Sequence, residues 1–292
     1  LSRVKPEHYE ALLASKVARV SDLLLPCGAT SPEVFRSPVT GFRMRAEFRM
    51  WHDDEALNYV MFRPEDPKTP VPVTDFPIAC ETIQQLMPAL VAALKPNQQL
   101  RRKLFQVEFL STLAGESLVT LIYHRKLDDE WLLAAEQLRK SLQSHFGELS
   151  IIGRSRKQKL VLGNEWVWEK LVINGESYRY QQYEQAFTQP NASVNTQMIQ
   201  WACKQASNLD GDLLELYCGI GNFTLPLATR FRRVLATEIS KQAVACARAN
   251  MAANGIDNIT LLRMSSEDFT AAMDGVRPFR RLRDVDLPSF DL

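Results

Sequence analysis

The sequence has few cysteines, no long apolar run and no excess of one charge. Its five cysteines are scattered over 292 residues and form no C-x-x-C pair, which excludes a disulfide framework and a closed zinc or iron–sulfur site. No stretch reaches the roughly 18 apolar residues of a membrane span, and residues 1–9 lack a signal-peptide core. The 35 Lys and Arg balance 34 Asp and Glu, so no global field attracts a polyanion. We expect a cytoplasmic monomer with no metal and no membrane contact.

Length and composition favour two globular domains. A chain of 292 residues exceeds what one hydrophobic core usually supports. Hydrophobic residues make up 46% and charged residues 24%, which is ordinary globular usage. There is no internal repeat and no low-complexity segment. The question is therefore where one domain ends and the next begins.

Residues 1–185 read as an α+β domain with a mainly antiparallel sheet. Apolar residues at helical spacing predict a helix from Glu7 to Leu25, before Pro26. Strict alternation predicts a strand over residues 42–50 with an arginine-rich outer face. Two further predicted strands, residues 105–109 and 117–123, flank a glycine turn and form a hairpin. Asp128 then caps a helix ending near Phe146, and apolar runs extend the β content to about residue 180.

From residue 186 the pattern changes to alternating helix and strand, which is typical of a parallel, doubly wound α/β sheet. The predicted helices cover residues 191–206, 223–231 and 241–254, and the predicted strands cover residues 213–217, 234–237 and 259–263. Ser240 suits a helix N-cap and Gly255 a helix C-terminus. Since only three strand signals follow, we expect residues 186–292 to be the N-terminal part of a domain truncated at its C-terminus.

The strongest chemical signal is a glycine turn between a buried strand and a helix. Gly219 and Gly221 let a ligand approach the backbone, and the helix that follows offers unpaired N–H groups. Glu238 ends the next predicted strand, where a carboxylate can accept both hydroxyls of a ribose. Thr224 replaces the third glycine of a dinucleotide site. S-adenosylmethionine is therefore favoured over NAD, and a turn used only for tight strand–helix packing is the alternative.

Five segments together resemble the bacterial tRNA (uracil-5-)-methyltransferase family, which forms ribothymidine in the T loop. They are FRSP at 35–38, RMRAEFR at 43–49, FTQPN at 187–191, LELYCGIGNF at 214–223 and ATEI at 236–239. The resemblance implies a class I, Rossmann-like methyltransferase domain preceded by an RNA-binding domain. It also implies that Gln189, Tyr217, Asn222 and Glu238 contact S-adenosyl-L-methionine, with Glu238 on the ribose and the other three on the methionine and adenine ends.

The family's reaction implies groups that this sequence does not contain. A cysteine thiolate adds to uracil C6 so that C5 attacks the methyl group, and a base then removes the C5 proton. In the family these groups and an Asp-Pro-Pro-Arg segment lie in the C-terminal part, and neither Asp-Pro-Pro-Arg nor Ser-Cys-Asn-Pro occurs here. Cys218 belongs to the cofactor turn, and buried thiols are usually inert. We therefore assign no catalytic residue and expect this chain to be inactive by itself.

RNA contact must come from local basic clusters, by their attraction to phosphates. The clusters are Arg43/Arg45/Arg49, Arg101/Arg102/Lys103, Arg154/Arg156/Lys157/Lys159 and Arg277/Arg280/Arg281/Arg283. The first is favoured because its members share one strand face. The resemblance places Phe105 and His124 where an aromatic side chain supports a T loop whose target uridine is extruded. Solvated charges and sheet-packing aromatic residues are the alternatives.

The expected partner is the T arm of tRNA, and two other functions remain open. One is a ribosomal RNA uracil-5-methyltransferase, although the additional N-terminal TRAM domain and four-cysteine cluster typical of those relatives do not occur here. The other is a non-catalytic RNA-binding protein or RNA chaperone that uses residues 1–185 alone.

Overall fold

The computed structural model describes residues 5–54, 56–276 and 279–283, and its contacts divide these into two compact units. Unit 1 comprises the chain up to residue 111, residues 117–164 and residues 190–194. Unit 2 comprises residues 112–116, residues 165–189 and the chain from residue 195. This division differs from the domain boundary expected at residue 185, because the last two strands before it group with unit 2.

Unit 1 is built on a seven-stranded sheet. Its strands are β1 (Arg45–Asp53), β2 (Ala56–Arg63), β3 (Asp66–Pro72), β4 (Leu104–Ser111), β5 (Ser117–Tyr123), β6 (Leu149–Ser155) and β7 (Gln158–Leu162). The spatial order is β3-β2-β1-β4-β5-β6-β7. Only the β5/β6 neighbours run parallel, so the predicted mainly antiparallel sheet and its β4–β5 hairpin are confirmed.

The alternation in β1 places its side chains as predicted. Ala46, Phe48 and Met50 are buried, whereas Glu47 and Arg49 are exposed. Because successive side chains of a strand point to opposite faces, this pattern assigns one face to the core and the other to solvent.

Four helices accompany this sheet, namely α1 (Tyr9–Leu24), α2 (Glu81–Leu94), α3 (Gln98–Arg101) and α4 (Asp129–Phe146). The predicted helix α1 is confirmed, and none of its residues is buried. Helix α4 begins where Asp128 accepts a hydrogen bond from Trp131 N at 2.9 Å. The fully buried Trp131 of α4 packs over β6, where an added Cβ at Gly153 would lie 2.6 Å from its Cζ2 atom. The apolar faces of α2 and α4 join the sheet in one core.

Unit 2 contains an antiparallel hairpin and a three-stranded parallel sheet. The hairpin strands are β8 (Trp166–Ile173) and β9 (Glu176–Tyr183), and the parallel strands are β10 (Asp212–Glu215), β11 (Arg233–Glu238) and β12 (Ile259–Arg263). The helices are α5 (Ala192–Gln205), α6 (Thr224–Ala228), α7 (Lys241–Asn254) and α8 (Ser266–Met273). The order β10-β11-β12 confirms the predicted alternation of strand and helix.

The predicted ends of α7 are also confirmed. Ser240 Oγ accepts a hydrogen bond from Ala243 N at 3.3 Å, and Gly255 adopts the left-handed conformation with a φ of 63°. Across the described residues, no helix is long and apolar enough to span a bilayer. The same residues contain no group of three His, Cys, Asp or Glu side chains placed to hold a metal ion.

Candidate cofactor and RNA sites

The glycine turn lies at the carboxyl ends of β10 and β11. Gly219 and Gly221 have φ values of 59° and 87°, a region that favours glycine. An added Cβ at Gly219 would meet no atom within 4 Å, and at Gly221 the nearest atom, Leu225 Cγ, would lie at 3.5 Å. The turn therefore has free space beside Gly219, whereas a side chain at Gly221 would be in van der Waals contact with Leu225.

Glu238 ends β11 with its carboxylate against this turn. Glu238 Oε2 accepts a hydrogen bond from Gly219 N at 3.1 Å, and Oε1 accepts one from Ser240 N at 2.7 Å. Each carboxylate oxygen retains capacity for a further hydrogen bond. The geometry thus brings Gly219 and Glu238 together, as the spacing of the two motifs predicts.

Asn222, at the far end of the turn, uses its side chain within the protein. Its Nδ2 donates to Asn195 Oδ1 at 2.8 Å, and its Oδ1 accepts from Asn195 Nδ2 at 3.0 Å. Tyr180 Oη donates to the Asn222 carbonyl at 3.1 Å. The sequence did not predict Asn195 or Tyr180 as site residues. Asn222 lies 27 residues after Asn195 and 42 residues after Tyr180, and no local pattern indicates a contact over such a separation.

Tyr217 precedes the turn in a conformation that non-glycine residues rarely adopt, with a φ of 59°. Its side chain is 65% exposed, and its Oη donates to Glu267 Oε1 at 2.9 Å. Tyr217 and Glu267 line an open cavity of 470 Å³ with Leu216, Ser266 and residues of α8. Gln189 is half-buried in the segment between β9 and α5, and no contact in the described structure joins it to the turn.

A carboxyl group and a thiol on the segment that leads into the turn have raised pKa values. Burial raises the pKa of Glu215, the last residue of β10, to about 7, and its Oε2 atom is buried without a hydrogen-bond partner in the described structure. Burial, followed by the charges of Glu215 and Glu238, raises the pKa of the Cys218 thiol to about 12. Cys218 is therefore protonated at neutral pH, which agrees with its exclusion as a nucleophile.

A second group of predicted residues meets on the sheet of unit 1. The Phe105 and His124 rings are stacked with centroids 3.9 Å apart, and Arg49 Cζ lies 3.9 Å from the Phe105 centroid. Phe105 and His124 line a cavity of 350 Å³ with Met50, His52, Lys103 and Leu104. Strands β1 and β4, together with the residue that follows β5, thus bring a cation and two stacked rings together.

The other arginines of the favoured cluster do not join this stack. The β1–β4 register pairs Glu47 with Glu108 on the outer face, so carboxylates separate Arg45 from Arg49 along the strand. Arg43 Nε donates to the Arg45 carbonyl at 3.3 Å. Arg101 belongs to the basic cluster predicted with Arg102 and Lys103, but its side chain is buried and donates to the Asp54 carbonyl at 2.8 Å. Arg277 lies outside the described residues.

A parallel sheet with a glycine turn after one strand and a carboxylate at the end of the next is the arrangement of a Rossmann-like nucleotide-binding fold. The crystal structure of Pyrococcus abyssi tRNA (uracil-54, C5)-methyltransferase in complex with S-adenosyl-L-homocysteine has a similar fold. It aligns with 87% of this chain and 63% of its own, with a TM-score of 0.63 and 18% sequence identity.

Sequence comparison identifies the family. The family profile described as tRNA (Uracil-5-)-methyltransferase matches residues 8–292. The tRNA/tmRNA (uracil-C(5))-methyltransferase of Azotobacter vinelandii is 55% identical over 291 residues, which is all of this chain and 79% of that protein. Its namesake in Serratia proteamaculans is 52% identical over 98% of this chain and 77% of its own length. The chain belongs to the tRNA (uracil-5-)-methyltransferase family, which confirms the resemblance seen in the sequence.

Proposed function

We propose that this protein transfers a methyl group from S-adenosyl-L-methionine to C5 of the T-loop uridine of tRNA. The observation that carries the proposal is the Glu238 carboxylate held 3.1 Å from Gly219 N in a member of this family. A carboxylate at that point can receive the two hydroxyls of a ribose whose adenosine lies over the open side of Gly219.

The alternative of a turn used only for packing explains less. Glycines required by close strand–helix packing leave no room for a side chain, yet a Cβ at Gly219 would meet no atom within 4 Å. The left-handed φ of 59° favours glycine at this position, but it does not explain why the space beside Gly219 is empty. An open side facing a ligand accounts for the space at Gly219.

The turn favours S-adenosyl-L-methionine over a dinucleotide through Thr224, which replaces the third glycine of a dinucleotide site. The carboxylate of Glu238 does not separate the two ligands, because a carboxylate at this position binds the ribose of either one. We assign Tyr217, Asn222 and Gln189 to the methionine and adenine ends, as the resemblance implies, with the Asn222 amide kept in place by Asn195.

The T arm of tRNA is assigned to the stack of Arg49, Phe105 and His124. Arg49 and His124 are exposed and Phe105 is half-buried, so the rings are accessible to a base and the guanidinium to a phosphate. When the target uridine leaves its stack, an aromatic side chain can support the remaining bases. Arg45, at the start of β1, and Arg43, which precedes this strand rather than lying on it as predicted, supply further positive charge.

S-adenosyl-L-methionine supplies the methyl group when bound. As the resemblance implies, a thiolate would add to C6 of the uracil ring and C5 would take the methyl carbon, so that the donor would leave as S-adenosyl-L-homocysteine. A base would then remove the C5 proton, and the thiolate would leave as the C5–C6 double bond forms again. Four of the five cysteines are buried, and burial raises the pKa of Cys218 and Cys246 to about 12. We therefore assign neither Cys218 nor Cys246 as the nucleophile.

The cofactor assignment is tested by calorimetry with S-adenosyl-L-homocysteine. We expect Glu238→Ala to weaken binding about 10- to 100-fold, because hydrogen bonds to a charged group contribute roughly 1.5–3 kcal/mol. Glu176→Ala, which removes an exposed carboxylate at the start of β9, is the matched control and should bind as the wild type does. Equal affinities for wild type and Glu238→Ala would remove Glu238 from the ribose site.

The substrate is tested by methyl transfer to unmodified tRNA and to ribosomal RNA. Methylation of tRNA alone supports the proposal, and methylation of ribosomal RNA alone would replace it. RNA binding without cofactor binding would favour the non-catalytic alternative. The expectation that this chain is inactive by itself remains a prediction, which the same assay decides.

A further inference from the structure

Helix α7 presents a row of polar side chains to the free edge of strand β9. Cys246, Asn250 and Asn254 are spaced four residues apart, so they lie on one face of the helix. Asn254 accepts from Arg179 N at 2.9 Å and donates to the Arg179 carbonyl at 2.7 Å. These side chains give β9 the hydrogen bonds that a neighbouring strand would otherwise supply.

The next two members of the row bind the backbone of Gln181. Asn250 Oδ1 accepts from Gln181 N at 2.6 Å, and Cys246 Sγ donates to the Gln181 carbonyl at 2.6 Å. The other edge of β9 pairs with β8. The helix therefore satisfies backbone groups that would be costly to bury unpaired.

Asn250 differs from the other two because its amide also reaches the glycine turn. Its Nδ2 donates to the Ile220 carbonyl at 2.9 Å, and the residue is fully buried. The partners fix the orientation of the amide, since the N–H of Gln181 requires an oxygen and the carbonyl of Ile220 requires a donor. One side chain thus joins the edge of β9 to the middle of the turn.

The turn needs such external support. Ile220 stands between two glycines, and glycine loses more conformational freedom on ordering than any other residue. Glu238 holds the turn at Gly219 N, and Asn195 holds it at the Asn222 side chain. Between these two ends, Gly221 N donates to the Cys218 carbonyl at 2.9 Å, and Asn250 holds the carbonyl of the same peptide from outside the turn.

We propose that Asn250 is a positioning residue for the methyl donor. By fixing the Ile220 carbonyl, it keeps the glycine turn in the conformation that receives the adenosine of S-adenosyl-L-methionine, without touching the ligand. This inference rests on the proposed function, which makes the turn the cofactor site.

The test compares the dissociation constant of S-adenosyl-L-homocysteine with the melting temperature. We expect Asn250→Ala to weaken binding roughly 5- to 10-fold, the effect of one lost hydrogen bond. Asn254→Ala is the matched control, because it removes the neighbouring contact with β9 and leaves the turn alone. It should lower the melting temperature and leave the dissociation constant within about twofold of the wild-type value.

Asn250→Asp covers the case in which Asn250→Ala does not fold. It keeps the size and the acceptor for Gln181 N, but its carboxylate donates to Ile220 only when protonated. At neutral pH its dissociation constant should exceed the wild-type value, because an ionised carboxylate offers no donor to the Ile220 carbonyl. A lowered melting temperature with unchanged affinity in both variants would overturn the proposal. Wild-type protein that does not bind S-adenosyl-L-homocysteine would instead refute the proposed cofactor site.

Discussion

Glu169 on β8 gives a pH-dependent stability that can be predicted from its surroundings. The residue is only 2% exposed, and its Oε1 accepts hydrogen bonds from Leu113 N at 2.9 Å and Lys170 N at 2.8 Å. Burial outweighs these bonds and raises the pKa of the carboxyl from 4.5 to about 7. The folded protein therefore binds this proton more tightly than the unfolded chain does.

The sign and size of the effect follow from that pKa. A raised pKa contributes stability below pH 4.5, and this contribution is lost as the pH rises through 7. At about 1.36 kcal/mol per pH unit, the total loss is roughly 3 kcal/mol, of which roughly 2 kcal/mol falls between pH 5.5 and pH 8. Glu169→Gln retains an oxygen acceptor and has no proton to lose, so its unfolding free energy lacks this decline.

The assay is urea unfolding followed by circular dichroism at pH 5.5 and pH 8. Other carboxylates titrate in both proteins, so their contribution cancels in the difference between Glu169→Gln and wild type. That difference should shift by roughly 2 kcal/mol in favour of the variant at the higher pH. Glu176→Gln, at an exposed position, should show no such shift. A difference that is the same at both pH values would refute the reasoning.

Three further predictions follow from packing, thiol burial and charge. Gly153→Ala should lower the unfolding free energy by about 1–3 kcal/mol, measured in urea, because its Cβ would overlap the Trp131 ring. Iodoacetamide at pH 8 should alkylate the exposed Cys27 and spare Cys218, as mass spectrometry of tryptic peptides would show. Arg49→Ala should weaken tRNA binding and reduce the log–log salt slope by about 0.7–0.9, measured by filter binding at several salt concentrations.

The fold was predictable where local signals are strong. Helix α7 has the ends that Ser240 and Gly255 predict, since a cap and a left-handed glycine are encoded next to the helix itself. Helix α2 was missed, although five of its apolar residues are buried. Pro88 lies inside it and is normally a sign that a helix ends. Tertiary packing overrode that local signal.

The site was predictable only in part, for a similar reason. Gly219 and Glu238 follow directly from strand ends and spacing, and the structure brings them together. Asn195 and Asn250 act on the turn through partners 27 and 30 residues away, and no local pattern encodes such pairings. Asn is a poor helix former. Its occurrence at positions 250 and 254 of α7 was therefore the one sign in the sequence that Asn250 has a buried role.

The contacts of Glu238 determine how its replacement should be interpreted. Its carboxylate holds Gly219 N as well as Ser240 N, so Glu238→Ala removes a proposed ribose contact and also loosens the turn. Asn250→Ala loosens the same turn from the other side. If the two side chains act partly through one structure, the double variant should weaken S-adenosyl-L-homocysteine binding by less than the product of the two single effects. If Glu238 acts on the ribose alone, the two fold-changes in the dissociation constant measured by calorimetry should multiply, because independent contributions to the binding free energy add.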